Sequence, residues 1–381
     1  MNPIFPRVLG FFCLLISATA GAAPALIPNP PAIAGTAYLL LDYDSGRVLA
    51  EGNIDKRIEP ASLTKMMSAY LVDREIVAGR VKLTDMARIS EKAWRMEGSR
   101  MFVEVGDQVS VADLLKGIIV QSGNDSTVAL AEHIAGSEDA FASMMNLEAQ
   151  RLGMKDTHFV NSTGLPHPQH YTTARDLGTL ARALIRDAGD HYEWYSIKEY
   201  TFNNIKQHNR NTLLWRDATV DGIKTGHTES AGYCLVASAK QDNMRLIGVV
   251  LGTKSENARA DETQKLLTYG FRFFETHRLY RAGESLTKAR IWKGETEELS
   301  LGLAEDLYVT IPRGQYSALK ASMNLAASQI IAPVASGAVM GAVNVALDDQ
   351  PVAARDLVAL QEVKEGGVFR ALIDTAKLWF E

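Results

Sequence analysis

The sequence predicts an α+β chain: a largely antiparallel sheet carrying a cluster of helices, then a small all-β domain, then a C-terminal amphipathic helix. Three patterns predict it. Strand-like runs stand at both ends of the region 24–278, with helical runs between them. Beyond Leu279, short strand-like runs separated by Gly and Pro turns replace the helices. From Phe369 onward, apolar residues recur three and four apart. The expected units are 1–23 as an export signal, 24–278 as the main domain, 279–362 as the β domain and 363–381 as the terminal helix. A chain of 381 residues is long enough for two cores. Its net charge is only -5, and its Lys and Arg form no basic stripe, which argues against nucleic acid as a partner.

At the start, Arg7 precedes the apolar run Val8 to Ile16, and the small residues Ser17 to Ala23 follow. That is the order of a secretory signal peptide, with cleavage expected after Ala22 or Ala23. Cys13 would leave with it. Cys234 then has no partner for an internal disulfide and reads as a small buried hydrophobe in an apolar strand. Pro24 to Ala34 is an extended leader.

Thr36 to Asp42, the turn Tyr43 to Gly46 and Arg47 to Glu51 form a hairpin. A helix over Ala61 to Val72 follows Glu59-Pro60, since proline suits a helix start. Met66, Met67, Ala69, Tyr70, Leu71 and Val72 make it apolar almost all round, so it is buried. Ser110 caps a helix over Leu114 to Val120. Gln121 to Asp125 interrupts, and Ser126 to Ala135 resumes. Glu138 to Leu152, stopped by Gly153, and Thr173 to Asp187 are further helices. Strands return at Asp221 to Gly226, Gly232 to Ala239 and Arg245 to Gly252, and Arg259 to Glu275 closes the domain as a helix.

The β domain should contain Lys288 to Trp292, Leu307 to Ile311, Leu319 to Met323, Val339 to Ala346 and Asp356 to Leu360. It has no clustered Cys, His or paired carboxylates, so its role reads as positional. In the terminal helix, Phe369, Leu372, Ile373, Ala376, Trp379 and Phe380 share one face, while Arg370, Asp374, Lys377 and Glu381 take the other. Packing on the β domain is one use of that pattern. A lipid surface is the other, held by the apolar face because the charges nearly cancel.

Ser62-Leu63-Thr64-Lys65 carries the chemistry. Residues three apart on a helix share a face, so the Lys65 amine can reach the Ser62 hydroxyl. Burial lowers a lysine pKa, and a neutral amine can take a proton; Ser62 is thus a nucleophile with its own base. A chance Ser-x-x-Lys arises about once per chain of this length, so the motif alone decides nothing. Ser122-Gly123-Asn124 and Lys224-Thr225-Gly226 follow it, the first in a polar link between helices and the second in a strand.

With all three motifs in this order, the chain resembles the penicillin-recognising serine enzymes, whose set is Ser-x-x-Lys, Ser-Asp-Asn and Lys-Thr-Gly. Gly123 departs from that set by removing only the middle carboxylate. Lys224-Thr225-Gly226-His227-Thr228, Gly270-Phe271-Arg272-Phe273-Phe274-Glu275 and the β domain with its amphipathic tail look most like the low-molecular-mass D-alanyl-D-alanine carboxypeptidases. The resemblance implies a β-lactamase/transpeptidase-like fold and hydrolysis of the terminal D-alanine from peptidoglycan stem peptides, with β-lactams as inhibitors.

It further implies Ser62 as nucleophile and Lys65 as base, with Lys224 lowering the Lys65 pKa. Ser122 would bridge the lysines and relay a proton to the leaving amine. Asn124 would bind the substrate amide and hold Lys65. The backbone N–H groups of Ser62 and His227 would form an oxyanion hole, each donor worth roughly 3 to 4 kcal/mol. Gly226 would let a peptide lie along the strand, and Lys224, Thr225 and an arginine, Arg259 first and Arg210 second, would take its terminal carboxylate.

No cofactor or metal is implied: His167 and His170 lack a third ligand at metal spacing and read as part of a solvated loop, and Asp176 reads as a helix-start carboxylate. A class A β-lactamase is the main rival, but it needs a glutamate to clear the acyl-enzyme, and none stands between Arg151 and Arg175. An endopeptidase acting on cross-linked peptides uses the same residues. A catalytically idle binding module would not need Ser62, Lys65, Ser122 and Lys224 together. The expected location is periplasmic, peripheral on the outer face of the inner membrane.

Overall fold

The computed structural model describes residues 27–378. The signal reading of Met1 to Ala23, and Trp379 and Phe380 of the tail, lie outside them.

Five antiparallel strands form the main sheet, in the spatial order Val48–Gly52, Ala37–Asp42, Met244–Thr253, Gly232–Gln241, Val220–Thr228. The N-terminal hairpin therefore pairs with the late strands, as the sequence order suggests. Strand alternation sorts the sheet's two faces. Leu39, Leu41, Ile247, Val249 and Leu251 face one core, which holds the helices Thr64–Val77, Asn124–Ala135, Glu138–Arg151 and Ala174–Asp187. Leu40, Leu246 and Val250 face the other, against Glu256–Phe273.

Several boundaries differ from expectation for local reasons. The helix expected over Arg259 to Glu275 is capped earlier, where Ser255 Oγ accepts from the Ala258 N–H at 3.1 Å, and it ends at Phe273. Phe274–Tyr280 is a strand paired with Leu307–Pro312, its aromatic run being compatible with either state. Thr64–Val77 runs past Val72 and is preceded by a separate 3₁₀ turn, Ala61–Leu63. The helix Val111–Lys116 widens into a π-helical turn, Gly117–Gln121.

The β unit has a six-stranded sheet whose strands include Thr287–Trp292, Glu298–Gly302, Leu319–Leu325, Val339–Leu347 and Gln350–Ala359. Its own core contains Leu299, Leu301, Val309, Val343 and Leu357. Side chains tie the two units together: Thr276 Oγ1 donates to the buried Asp42 at 2.7 Å, and Arg47 Nη1 donates to Thr310 O at 2.5 Å. The terminal helix, Val368–Leu378, inverts the usual sorting. Asp374, read from sequence as part of the polar face, is buried and accepts the Lys293 N–H at 2.7 Å. Phe369 on the opposite side is 86% exposed, and Leu372 and Ile373 are exposed with it.

Candidate active site

The cleft is built where the nucleophile turn meets the edge strand Val220–Thr228. Two non-glycine residues there adopt left-handed backbone, Ala61 at φ 49° and Ser122 at φ 60°. Such conformations are costly outside glycine and persist where the surroundings impose them. Gly164 shows the constraint: a Cβ there would fall 1.8 Å from Ala61 O, so only glycine lets the 153–172 loop press on the turn.

Lys65 is 1% exposed, and its Nζ lies 3.1 Å from Ser62 Oγ while donating to Thr163 O at 2.6 Å. Burial pushes its pKa down to about 7, with Arg210 pushing the same way and Asp125 and Glu138 opposing. Lys224, also buried, donates to Ser122 Oγ at 2.9 Å and to Thr225 O at 3.2 Å. Burial again lowers its pKa first, and then Lys65, Arg210 and Arg259. Two buried ammoniums therefore disfavour each other, and the lysines titrate as a pair. Arg210 is a further charge that lowers the Lys65 pKa, one the sequence reading did not name for that part.

Ser122 thus meets Lys224, and no hydrogen bond from it to Lys65 is present among the described residues. Asn124 is the first residue of its helix, and its Nδ2 donates to Glu97 O at 2.5 Å. Lys65 donates to the Thr163 carbonyl, and among the described residues no hydrogen bond joins it to Asn124. At Gly226 a Cβ would stand 3.1 Å from Pro60 O and from the Leu63 side chain, a reason for glycine that the sequence reading did not include. Its bareness admits the nucleophile turn. Thr225 is buried, and the His227 ring is exposed and stacked on Tyr233 at 3.9 Å.

Arg259 is buried behind the strand, within 3.4 Å of Gly226 O and 3.3 Å of Arg210 O. Arg210 is exposed, and its charge reaches both lysines. Val220–Thr228 is the last strand of its sheet, so one of its edges has no strand beside it among the described residues.

Sequence reasoning missed the groups that hold this arrangement. Asp125 accepts the backbone N–H groups of Met101 at 2.9 Å and Phe102 at 2.8 Å. Glu138 accepts from Ser162 and pairs with Lys92 at 2.8 Å, while Ser68 Oγ donates to Ser162 O at 2.6 Å. His170, read as part of a solvated loop, is buried. Its Nδ1 accepts the Val160 N–H at 3.1 Å, so Nε2 carries the proton and donates to Thr64 Oγ1 at 2.8 Å. Burial and then His158 and His167 hold its pKa down to about 4, which keeps that tautomer neutral. Asp176 sits in the first turn of its helix and accepts the Asp156 N–H. Signals existed for Asp125, a carboxylate beside Asn124; a backbone carbonyl such as Thr163 O leaves none in sequence.

Comparison with known proteins decides the family. Residues 25–255 match the D-alanyl-D-alanine carboxypeptidase peptidase family, and residues 274–365 match the C-terminal domain of penicillin-binding protein 5. The chain belongs to the D-alanyl-D-alanine carboxypeptidase family. It is 47% identical over 398 residues to D-alanyl-D-alanine carboxypeptidase DacA of Escherichia coli, covering 100% of this chain and 99% of that one. The crystal structure of penicillin binding protein 5 from Haemophilus influenzae aligns with a TM-score of 0.85 at 45% identity, over 89% of this chain and 100% of that one. A penicillin-binding protein of Listeria monocytogenes, solved in its ampicillin-bound form, aligns at 0.58 and 29% identity over 63% of this chain and 98% of its own. Family membership joins a transpeptidase-like unit and a C-terminal β unit in one chain, the architecture described above.

Proposed function

We propose that the chain is a serine-type carboxypeptidase that removes the terminal D-alanine from peptidoglycan stem pentapeptides through an acyl-enzyme on Ser62. The observation that carries this is the Lys65 amine, buried, 3.1 Å from Ser62 Oγ and depressed to about 7. A neutral amine there accepts the Ser62 proton as Oγ bonds to the carbonyl carbon of the penultimate residue. The developing oxyanion sits at the Ser62 and His227 backbone N–H groups. A proton passes from the Lys224–Ser122 pair to the departing D-alanine nitrogen, the C–N bond breaks, and the ester remains. The proton Lys65 took from Ser62 restores the Lys224–Ser122 pair, so Lys65 is neutral again. Water then attacks the ester, and Lys65 takes its proton and returns it to Ser62 Oγ as the C–O bond breaks and the shortened peptide leaves as the acid. The terminal carboxylate is held by Lys224, Thr225, Arg210 from the solvent side and Arg259 from behind the strand.

Penicillin should acylate the same serine and clear slowly. Glu138 reaches the 153–172 loop, but its oxygens accept from Ser162 and Lys92, so this glutamate is held by its neighbours and is not free to activate water. Measured release of D-alanine from a pentapeptide, beside a cross-linked dimer, tests the reading. Cleavage of the dimer alone would make the protein an endopeptidase.

The location belongs to the same proposal: export directed by Met1 to Ala23, and residence in the periplasm on the outer face of the inner membrane. Among the described residues no helix is long and apolar enough to cross a membrane. Exposed Phe369, Leu372 and Ile373, on a helix whose polar side is docked, support binding at the lipid interface.

A further inference from the structure

The carbonyl that receives the Lys65 amine belongs to a loop, and a loop carbonyl keeps its place only where its neighbours are held. Ser162, the residue before Thr163, is held at every polar atom. Its N–H and its Oγ both donate to Glu138 Oε1, at 3.1 and 2.8 Å, and its carbonyl accepts from Ser68 Oγ at 2.6 Å. Ser68 stands three residues after Lys65 on the same face of the nucleophile helix. The two side chains thus take consecutive carbonyls of one loop, Thr163 O for Lys65 and Ser162 O for Ser68. Ser68, Ser162 and Thr163 are all buried, so losing one partner leaves a polar atom unpaired rather than hydrated.

Glu138 opens the helix Glu138–Arg151, where any carboxylate favours the helix dipole. Asp139, in the same turn, meets that need from solvent, while Glu138 is buried and turned onto the 153–172 loop. Lys92 pairs with its other oxygen at 2.8 Å and balances the buried charge. Burial pushes the Glu138 carboxyl up, and the bonds from Lys92 and Ser162 outweigh that, so it stays an anion. We propose that Glu138 is a positioning residue of the reaction: by gripping Ser162 it keeps Thr163 O on the Lys65 amine and the amine on Ser62. Its charge acts on Lys65 as well, in the same direction as Asp125 and against Arg210 and Lys224, the other charged groups around that amine. The anion therefore delays loss of the Lys65 proton as pH rises, and the grip fixes where the free amine stands. The proposal rests on the Ser62–Lys65 chemistry above.

The test is the rate of Ser62 acylation by benzylpenicillin between about pH 5 and 9, followed by intact mass, which gives an acid limb and an alkaline plateau. Glu138→Ala removes both grip and charge, and its plateau should fall about tenfold, as expected for a reacting group shifted by a fraction of an ångström. Glu138→Gln keeps an oxygen for Ser162 and loses only the charge. It should recover most of the plateau while its acid limb moves about 0.5 unit to lower pH, a shift that a purely structural role would not produce. If Glu138→Ala does not fold, Ser68→Ala releases Ser162 from the other side, and its plateau should also fall about tenfold. A native plateau in Glu138→Ala, or in Ser68→Ala where that variant replaces it, would overturn the proposal. So would a Glu138→Gln plateau no better than that of Glu138→Ala, or an acid limb that Glu138→Gln leaves unmoved; each of these results leaves the Ser62 acyl-enzyme standing. A native enzyme that forms no adduct on Ser62 would overturn that reading, and the proposal with it.

Discussion

The nucleophile helix and the terminal helix break the ordinary sorting of residues in opposite directions. Thr64–Val77 buries a lysine among Met66, Met67 and Tyr70, while Val368–Leu378 buries an aspartate and leaves Phe369 in solvent. In the first, the surroundings supply what a buried amine needs: Thr163 O as acceptor and Ser62 as neighbour. In the second, Asp374 and Arg370 fasten the helix to the β unit and turn its apolar face away. A buried charge and an exposed apolar face are both more informative than the core around them, because neither is stable by default. The first points to chemistry and the second to a surface.

If that contrast is right, removing the buried amine should have the largest effect. Lys65→Met should slow acylation by penicillin by about 10²- to 10⁴-fold, measured by intact mass against time. Near-native acylation would mean that the burial of Lys65 is structural. The terminal helix should respond in the opposite way. A chain ending at Glu365 should keep its rate of D-alanine release in solution and leave the membrane fraction, whereas salt washes should not release the full-length protein. Membrane association unchanged by the truncation would remove the tail as the anchor.

Smaller effects sharpen the site. Arg259→Ala and Arg210→Ala should each lose about 1.5 to 3 kcal/mol on substrates with a free C-terminus, seen in kcat/KM. The same loss on a C-terminally amidated peptide would assign the arginine another role. Activity should rise with pH through an apparent pKa near 7, because deprotonation of Lys65 creates the base. A flat profile from pH 6 to 10 would contradict this. The sign for stability is the same. Folded Lys65, depressed to about 7, holds fewer protons than unfolded lysine between about pH 7 and 10, and the lowered Lys224 acts in the same sense, so denaturant melts should show stability rising across that window.

Much of this was legible in the sequence, wherever a side-chain pattern repeats or a motif has fixed spacing. Alternation gave the sheet strands, and Thr173 and Gly153 marked a helix start and a helix end where they occur. Ser62, Lys65, Ser122 and Lys224 meet in one cleft. What sequence could not carry were contacts made by backbone or by partners far along the chain. Thr163 O holds Lys65 from 98 residues away, and Pro60 and Leu63 crowd Gly226 from another part of the chain. Glu298–Gly302 is too short to announce itself, and Phe274–Tyr280 hides behind an aromatic run shared with the preceding helix. Asp374 lies on the polar face as read, but amphipathicity identifies two faces without saying which one is covered.

The central claim is that Ser62 is a nucleophile served by Lys65. Its most direct test is intact-mass and peptide mapping after mixing with benzylpenicillin. A single adduct on Ser62 that outlasts mixing is the predicted result. An adduct on another serine, or one hydrolysed before it can be measured, would contradict the account.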